Sequence, residues 1–235
     1  MTSIQKRFQD TLNSIHTAAE NCGRHGEVKL LAVSKTKPSE MIREAWQCGQ
    51  RDFGENYVQE GVNKVNELKD LEGIVWHFIG PLQSNKTRLV TEHFDWMHSV
   101  DRVKIAHRLS DQRPADMAPL QICLQVNIDS QPTKSGFKPE EVSKAVEEII
   151  KIPGVEVRGL MAIPAPSEDL EEQRKPFKAM KALLTQLQTE NPQLKLDTLS
   201  MGMTGDMIAA IEEGATIVRI GTALFGARDY SQPRK

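Results

Sequence analysis

Residues 28–56 read VKLLAVSKTKPSEMIREAWQCGQRDFGEN. The apolar and β-branched run at 30–33 has the make-up of a short buried strand. After Pro38, a residue suited to a helix start, Met41, Ile42 and Ala45 recur at helical spacing, and Gly49 stands where a helix C-terminus favours glycine. RDFGEN at 51–56 then opens a second strand. Two strands joined through a helix pair in parallel, because a parallel neighbour requires a long crossover.

Working outward, the same unit recurs. Strands are expected at 28–35, 51–56, 74–80, 96–101, 120–128, 155–163, 197–201 and 217–222. Helical patterns follow the first seven: Val58, Val62 and Val65; a short one near 84–91; Ile105, Ala106 and Leu109; Val142, Val146 and Ile149; Met180, Leu183, Leu184 and Leu187; Met207, Ile208 and Ile211. Pro139 and Pro176 are expected to open helices, with 164–176 a stiff loop and Gly214 a cap. Eight strand–helix units imply a single α/β domain over 1–235, a (β/α)8 TIM barrel. An open doubly wound sheet would carry a glycine-rich phosphate turn after its first strand, where this chain has Lys-Thr-Lys-Pro.

Ile4, Phe8, Leu12 and Ile15 place an extra amphipathic N-terminal helix within 1–24, packed on the barrel; 227–235 reads as a flexible polar tail. Of 235 residues, 39% are hydrophobic and 26% charged, which excludes a largely disordered chain. Thirty Lys plus Arg against thirty-two Asp plus Glu give a net charge of -2, and no apolar run approaches membrane-spanning length. No nucleic-acid or membrane partner is therefore expected. Three scattered cysteines without a CxxC fit free thiols, and the segment before the first strand lacks a targeting pattern, so a cytoplasmic location is expected. The six histidines form no HxxxH or HExxH pattern, so no metal site is expected.

In such a barrel, function belongs where the strands end and the βα loops converge. Lys35 shares parity with Leu31 and Val33; at a partly desolvated mouth its amine is biased toward the neutral, nucleophilic form, although a lysine whose stem packs and whose head reaches water fits equally. Ser200 and Gly202, with Gly221 and Thr222, lie in the loops after strands seven and eight, the usual phosphate site of this fold; a turn and a Thr204 helix cap is the alternative. Arg219 shares parity with Gly221 inside an apolar strand, where a guanidinium must find an acceptor: a core carboxylate, the surface, or a ligand ring nitrogen. An aldehyde for Lys35, a phosphate for the late loops and a pyridine nitrogen for Arg219 together outline pyridoxal 5′-phosphate. His77 fits either a ring-stacking role or a satisfied core histidine. Lys86, Arg88 and Lys134 read as solvated loop charges.

LLAVSKTKP (30–38), FGENYVQE (53–60), WHFIGPLQSNK (76–86), GLMAIP (159–164), LSMGM (199–203) and VRIGTALFGAR (218–228) closely resemble, in order and over nearly the whole chain, the pyridoxal phosphate homeostasis protein family. The resemblance implies the barrel of the alanine racemase N-terminal domain and a cofactor-binding protein without an established catalytic activity. It makes Lys35 the Schiff-base lysine, sets Asn56 beside the ring and Arg219 against its nitrogen, and gives the phosphate to Ser200, Gly221 and Thr222. Met161 and Met201 fall within the matching blocks, and Thr204-Gly205-Asp206 stands where the family pattern has Ser-x-Asp.

Arginine cannot take up the ring proton, so the ring stays neutral and is a weak electron sink. The racemases draw a second acid/base tyrosine from a further domain of a partner subunit; here the tyrosines are Tyr57 and Tyr230. The preferred reading is a monomeric carrier that holds the cofactor through Lys35 and hands it to apoenzymes. A minimal amino-acid racemase and a class I aldolase-like barrel are the alternatives.

Overall fold

A computed structural model describes residues 3–227. Its strands are β1 (Lys29–Val33), β2 (Asp52–Glu55), β3 (Val75–Phe78), β4 (Trp96–Val100), β5 (Leu120–Gln125), β6 (Val155–Met161), β7 (Thr198–Ser200) and β8 (Ile217–Ile220). Its helices are α1 (Ser3–Asn21), α2 (Ser39–Gln47), α3 (Val58–Glu67), α4 (Thr87–His93), α5 (Val103–Gln112), α6 (Val142–Ile149), α7 (Leu170–Glu190), α8 (Met207–Glu212) and α9 (Thr222–Phe225). The strands pair in parallel in chain order, and β8 pairs with β1 through Leu31↔Arg219, closing the barrel.

Two apolar populations follow from strand alternation. Leu31, Val33, Ile79 and Ile217 form a small cluster of their own inside the barrel, as the parity of β1 requires. The larger layer lies between sheet and helices, where Ile42 and Ala45 of α2, Ile105, Ala106 and Leu109 of α5, and Val142, Val146 and Ile149 of α6 meet outward strand residues such as Phe53, Phe78 and Leu160. The lumen also holds buried polar side chains, His77, His98, Ser200 and Arg219.

The expected N-terminal helix is α1, and it buries Ile4, Phe8 and Ile15. Arg7 donates to the Leu224 carbonyl at 2.7 Å, and Arg24 donates to Ile211 O at 2.7 Å and Ala215 O at 2.9 Å, tying the start of the chain to its last unit. The tail expected from 227 onward, with Arg228 and Tyr230, lies outside the described residues except for Ala227.

Several expected boundaries move. The strands stop short of their sequence limits, β1 at Val33 and β2 at Glu55, because Lys35 and Asn56 turn out of the sheet to form the rim. Pro176 opens no helix: it lies inside α7, which begins at Leu170. The Asp169 carboxylate accepts the Glu172 N–H at 2.9 Å, and Glu171 and Glu172 favour the positive helix end, so capping sets the start despite the proline. The short third helix is a 3-10 turn at Ser84–Lys86 continued by α4, and β8 is followed by the one-turn α9. No described helix is long and apolar enough to cross a membrane.

Candidate functional site

The strand ends meet at one mouth. Lys35 sits there half-buried, in the turn that follows β1. Its neighbour Thr36 has φ 61, a left-handed conformation that a β-branched residue adopts at a cost of about 1–3 kcal/mol. A buried ion cluster holds this turn. Glu60 Oε1 accepts the Thr36 N–H at 2.5 Å, and Lys64 Nζ donates to Glu60 Oε1 at 2.6 Å, Glu55 Oε1 at 2.8 Å and the Ser34 carbonyl at 2.7 Å. The Ser34 hydroxyl donates to the same Glu55 oxygen at 2.6 Å. Burial drives the Glu55 carboxyl above its ordinary range against the opposing pull of Lys64 and Ser34, and its Oε2 has no hydrogen-bond partner.

Further along the loop, Lys37 Nζ donates to Gly226 O at 3.0 Å and Ala227 O at 2.7 Å, which clasps the β1 loop to the end of α9. Gly221 abuts β1: a Cβ there would stand 3.2 Å from the Val33 carbonyl oxygen, so the Lys35 turn and Thr222 are neighbours on the rim. Asn56 follows β2. A Cβ on Gly80 would fall 2.0 Å from the Asn56 carbonyl oxygen, so only glycine lets the β3 loop pass here. The Asn56 Oδ1 is buried without a partner.

Arg219 is 5% exposed and donates to three neutral acceptors: Ser200 O at 2.6 Å, Ser200 Oγ at 2.9 Å and Ala162 O at 3.0 Å. Burial pushes its guanidinium down to about 10, with Asp206 pulling weakly the other way. A buried cation among neutral oxygens, in a barrel that also buries an amide oxygen lacking a donor, suits a polar ring bearing both a lone-pair nitrogen and a hydroxyl.

The expected site residues divide between mouth and interior. Lys35, Asn56, Gly221 and Thr222 share the rim, and Thr204 is exposed in the loop after β7. Ser200 is wholly buried and its hydroxyl is bonded to Arg219 and His98, whereas Thr204, Thr222 and Gly221 lie on the more open rim. Met161 is buried at the end of β6, whereas Met201 joins the apolar layer under the helices, on the opposite side from Ser200. His77 is a core histidine, with Nδ1 2.9 Å from His98 Nε2 and Nε2 3.0 Å from Asp52 Oδ1, and it stacks on Trp96. Lys134 is latched to the Ile163 carbonyl at 2.8 Å, and Arg88 pairs with Glu92. Among the described residues, no three His, Cys, Asp or Glu side chains gather as a metal site, and Cys123 is buried with its thiol pushed up by burial. Lys64 and His98 lie in no motif, and Glu55 falls within FGENYVQE (53–60) without a role attached to it; the i,i+4 spacing of Glu60 and Lys64 was the other visible signal.

Residues 10–229 match the family model for the alanine racemase N-terminal domain. The chain belongs to this family, and within it to the pyridoxal phosphate homeostasis proteins. Family members so named include one from Vibrio alginolyticus, 54% identical over 98% of this chain and 100% of its own length, and one from Escherichia coli K12, 50% identical over 99% of this chain and 100% of its own. The family fold also matches PipY of Synechococcus elongatus, solved with pyridoxal phosphate bound, at a TM-score of 0.84 and 40% identity, covering 95% of this chain and 100% of PipY.

Proposed function

We propose that the barrel mouth binds pyridoxal 5′-phosphate covalently at Lys35, and that the protein is a cytoplasmic monomer keeping this reactive aldehyde in reserve for apoenzymes. The observation that carries the reading is Arg219, a buried guanidinium whose described acceptors are all neutral, at the mouth rimmed by Lys35. It supplies the donor that a pyridine nitrogen needs. Asn56 Oδ1 supplies an acceptor for a ring hydroxyl, and Thr204, Gly221 and Thr222 supply phosphate donors.

When bound, the cofactor brings an aldehyde that condenses reversibly with amines. Lys35 would be the amine that holds it, with the loss of one water balancing the condensation. The strained turn holds Lys35 at the rim, where incoming water or a competing amine reverses the link. That suits storage. Catalysis on an amino acid would need a second acid/base group; Tyr57, 45% exposed, caps the head of α3. The names of the relatives refer to homeostasis, not to a reaction.

The test is the visible spectrum of the purified protein and of Lys35→Ala, each with added pyridoxal phosphate and then borohydride. A Schiff-base band that borohydride fixes to Lys35, absent from the variant, supports the reading; no band in either protein overturns it. Recovery of activity by a separate apoenzyme mixed with the loaded protein tests the hand-over.

A further inference from the structure

Below the mouth, side chains from five strands join end to end across the lumen. Asp52 Oδ1 lies 3.0 Å from His77 Nε2, His77 Nδ1 lies 2.9 Å from His98 Nε2, and His98 Nδ1 lies 2.7 Å from Ser200 Oγ, which accepts from Arg219 at 2.9 Å. The Asp52 side chain, at the start of β2 on the rim opposite the mouth, is 27% exposed; His77, His98, Ser200 and Arg219 are buried.

Counting hydrogens fixes the direction of every bond. A carboxylate only accepts and a guanidinium only donates. From Asp52, His77 must carry its hydrogen on Nε2, so a neutral ring offers a lone pair at Nδ1. His98 must fill that lone pair with its own Nε2–H, which leaves a lone pair at its Nδ1 for the Ser200 hydroxyl. From the other end, Arg219 donates into one lone pair of Ser200 Oγ, which leaves the hydroxyl hydrogen available for His98. With both imidazoles neutral, the carboxylate end demands and the guanidinium end accommodates one arrangement, in which every donor points from Arg219 toward Asp52. The reversed chain sets a His77 lone pair against the carboxylate or needs an extra proton.

The surroundings favour the neutral chain. Trp96 stacks on His77 at 5.5 Å and carries the Arg158 guanidinium over its own ring at 5.2 Å, Lys29 acts on Asp52, and Asp206 and the Cys123 thiol are the other ionisable groups acting on Arg219. Burial, then His77 and Arg219, hold His98 well below the ordinary imidazole range.

We infer that Asp52, His77 and His98 are positioning residues for the cofactor end of the lumen: their chain turns the Ser200 hydroxyl away from Arg219, keeping Ser200 an acceptor and the guanidinium aimed as a donor at the ring nitrogen. The link to the ring rests on the function proposed above; the chain itself does not.

The experiment is imidazole 15N NMR of the cofactor-free protein, wild type and Asp52→Asn, followed by titration of each with pyridoxal phosphate. A carboxamide can donate as well as accept, so the variant removes the end that dictates direction while keeping size. Wild type is expected to show both rings neutral with hydrogen on Nε2. In Asp52→Asn both tautomers shift together, the bound cofactor's absorption maximum moves, and its dissociation constant rises roughly tenfold, the scale of one misdirected hydrogen bond. An Nδ1–H tautomer or a charged ring in wild type overturns the proposal, and this needs no variant to fold. So does a tautomer shift in the variant that leaves affinity and spectrum unchanged. Wild-type tautomers as drawn, in a protein that takes up no cofactor, would instead place the failure in the proposed function.

Discussion

Replacing Lys64 with methionine isolates the ion cluster beneath the Lys35 turn. The lysine is 6% exposed and Glu55 is fully buried, so Lys64→Met leaves the Glu55 carboxylate with one hydroxyl donor and an already orphaned Oε2. Removing one partner of a buried pair costs about 3–5 kcal/mol, much of it the uncompensated charge left behind. In a domain of this size each kcal/mol lowers the melting temperature by about 2–4 °C, so a fall of roughly 6–20 °C is expected. The loss should depend on pH in a definite direction. Glu55 has its folded pKa raised above the unfolded value, and losing Lys64 raises it further, so the native state holds a proton that the unfolded state has released. The deficit is therefore greatest at high pH and shrinks on acidification, by at most about 1.4 kcal/mol per pH unit. Adding Glu55→Gln to Lys64→Met removes the stranded charge, recovers most of the loss and abolishes its pH dependence. Denaturant melts of the four proteins at several pH values close the cycle. A single variant within about 1 kcal/mol of wild type at every pH, or a double variant no better than the single, would refute the reasoning.

His98 has its folded pKa depressed, so its contribution to stability is full above the unfolded imidazole value and is lost as pH falls below about 6.5, at up to about 1.4 kcal/mol per unit; His98→Gln should flatten that limb of a urea-stability profile. Gly80→Ala drives a methyl group into the Asn56 carbonyl, and circular dichroism with a thermal melt should show a protein destabilised by about 4 kcal/mol or more. Pro176→Ala restores an amide donor inside α7 and should raise stability by about 2 kcal/mol, the ~3 kcal/mol helix penalty less the ~1 kcal/mol that proline contributes by stiffening the unfolded chain, measurable as a shift in denaturation midpoint.

The barrel was legible because its alternation is carried by residue type: LLAV, IVWHFIG and IVRIG are short apolar runs, and the helices between them keep apolar residues three and four apart. The mouth was legible only in part. Lys35 and Arg219 could be set at strand ends by parity, but the turn at Thr36 could not, since a β-branched residue is the last from which a left-handed conformation is expected. Pro176 misled because proline marks helix starts on average, while Asp169 and its capping bond decided this one. The polar chain of the lumen was invisible for a different reason. Its contacts join residues 25, 21 and 102 positions apart, and they exist only once the sheet has closed. His77, Ser200 and Arg219 stand out in the sequence, each for a different role, and the linking Asp52 and His98 carry no motif.

Closure of β8 onto β1 also sets a timetable. Lys35 leaves the ribosome early, but Arg219, Gly221 and the Gly226 carbonyl that clasps Lys37 belong to the eighth strand–helix unit, synthesised well after it. Until that unit docks, the first strand has an open edge and the lysine has no facing wall. On the function proposed above, the mouth would hold its cargo only in molecules whose first and eighth strand–helix units have already met.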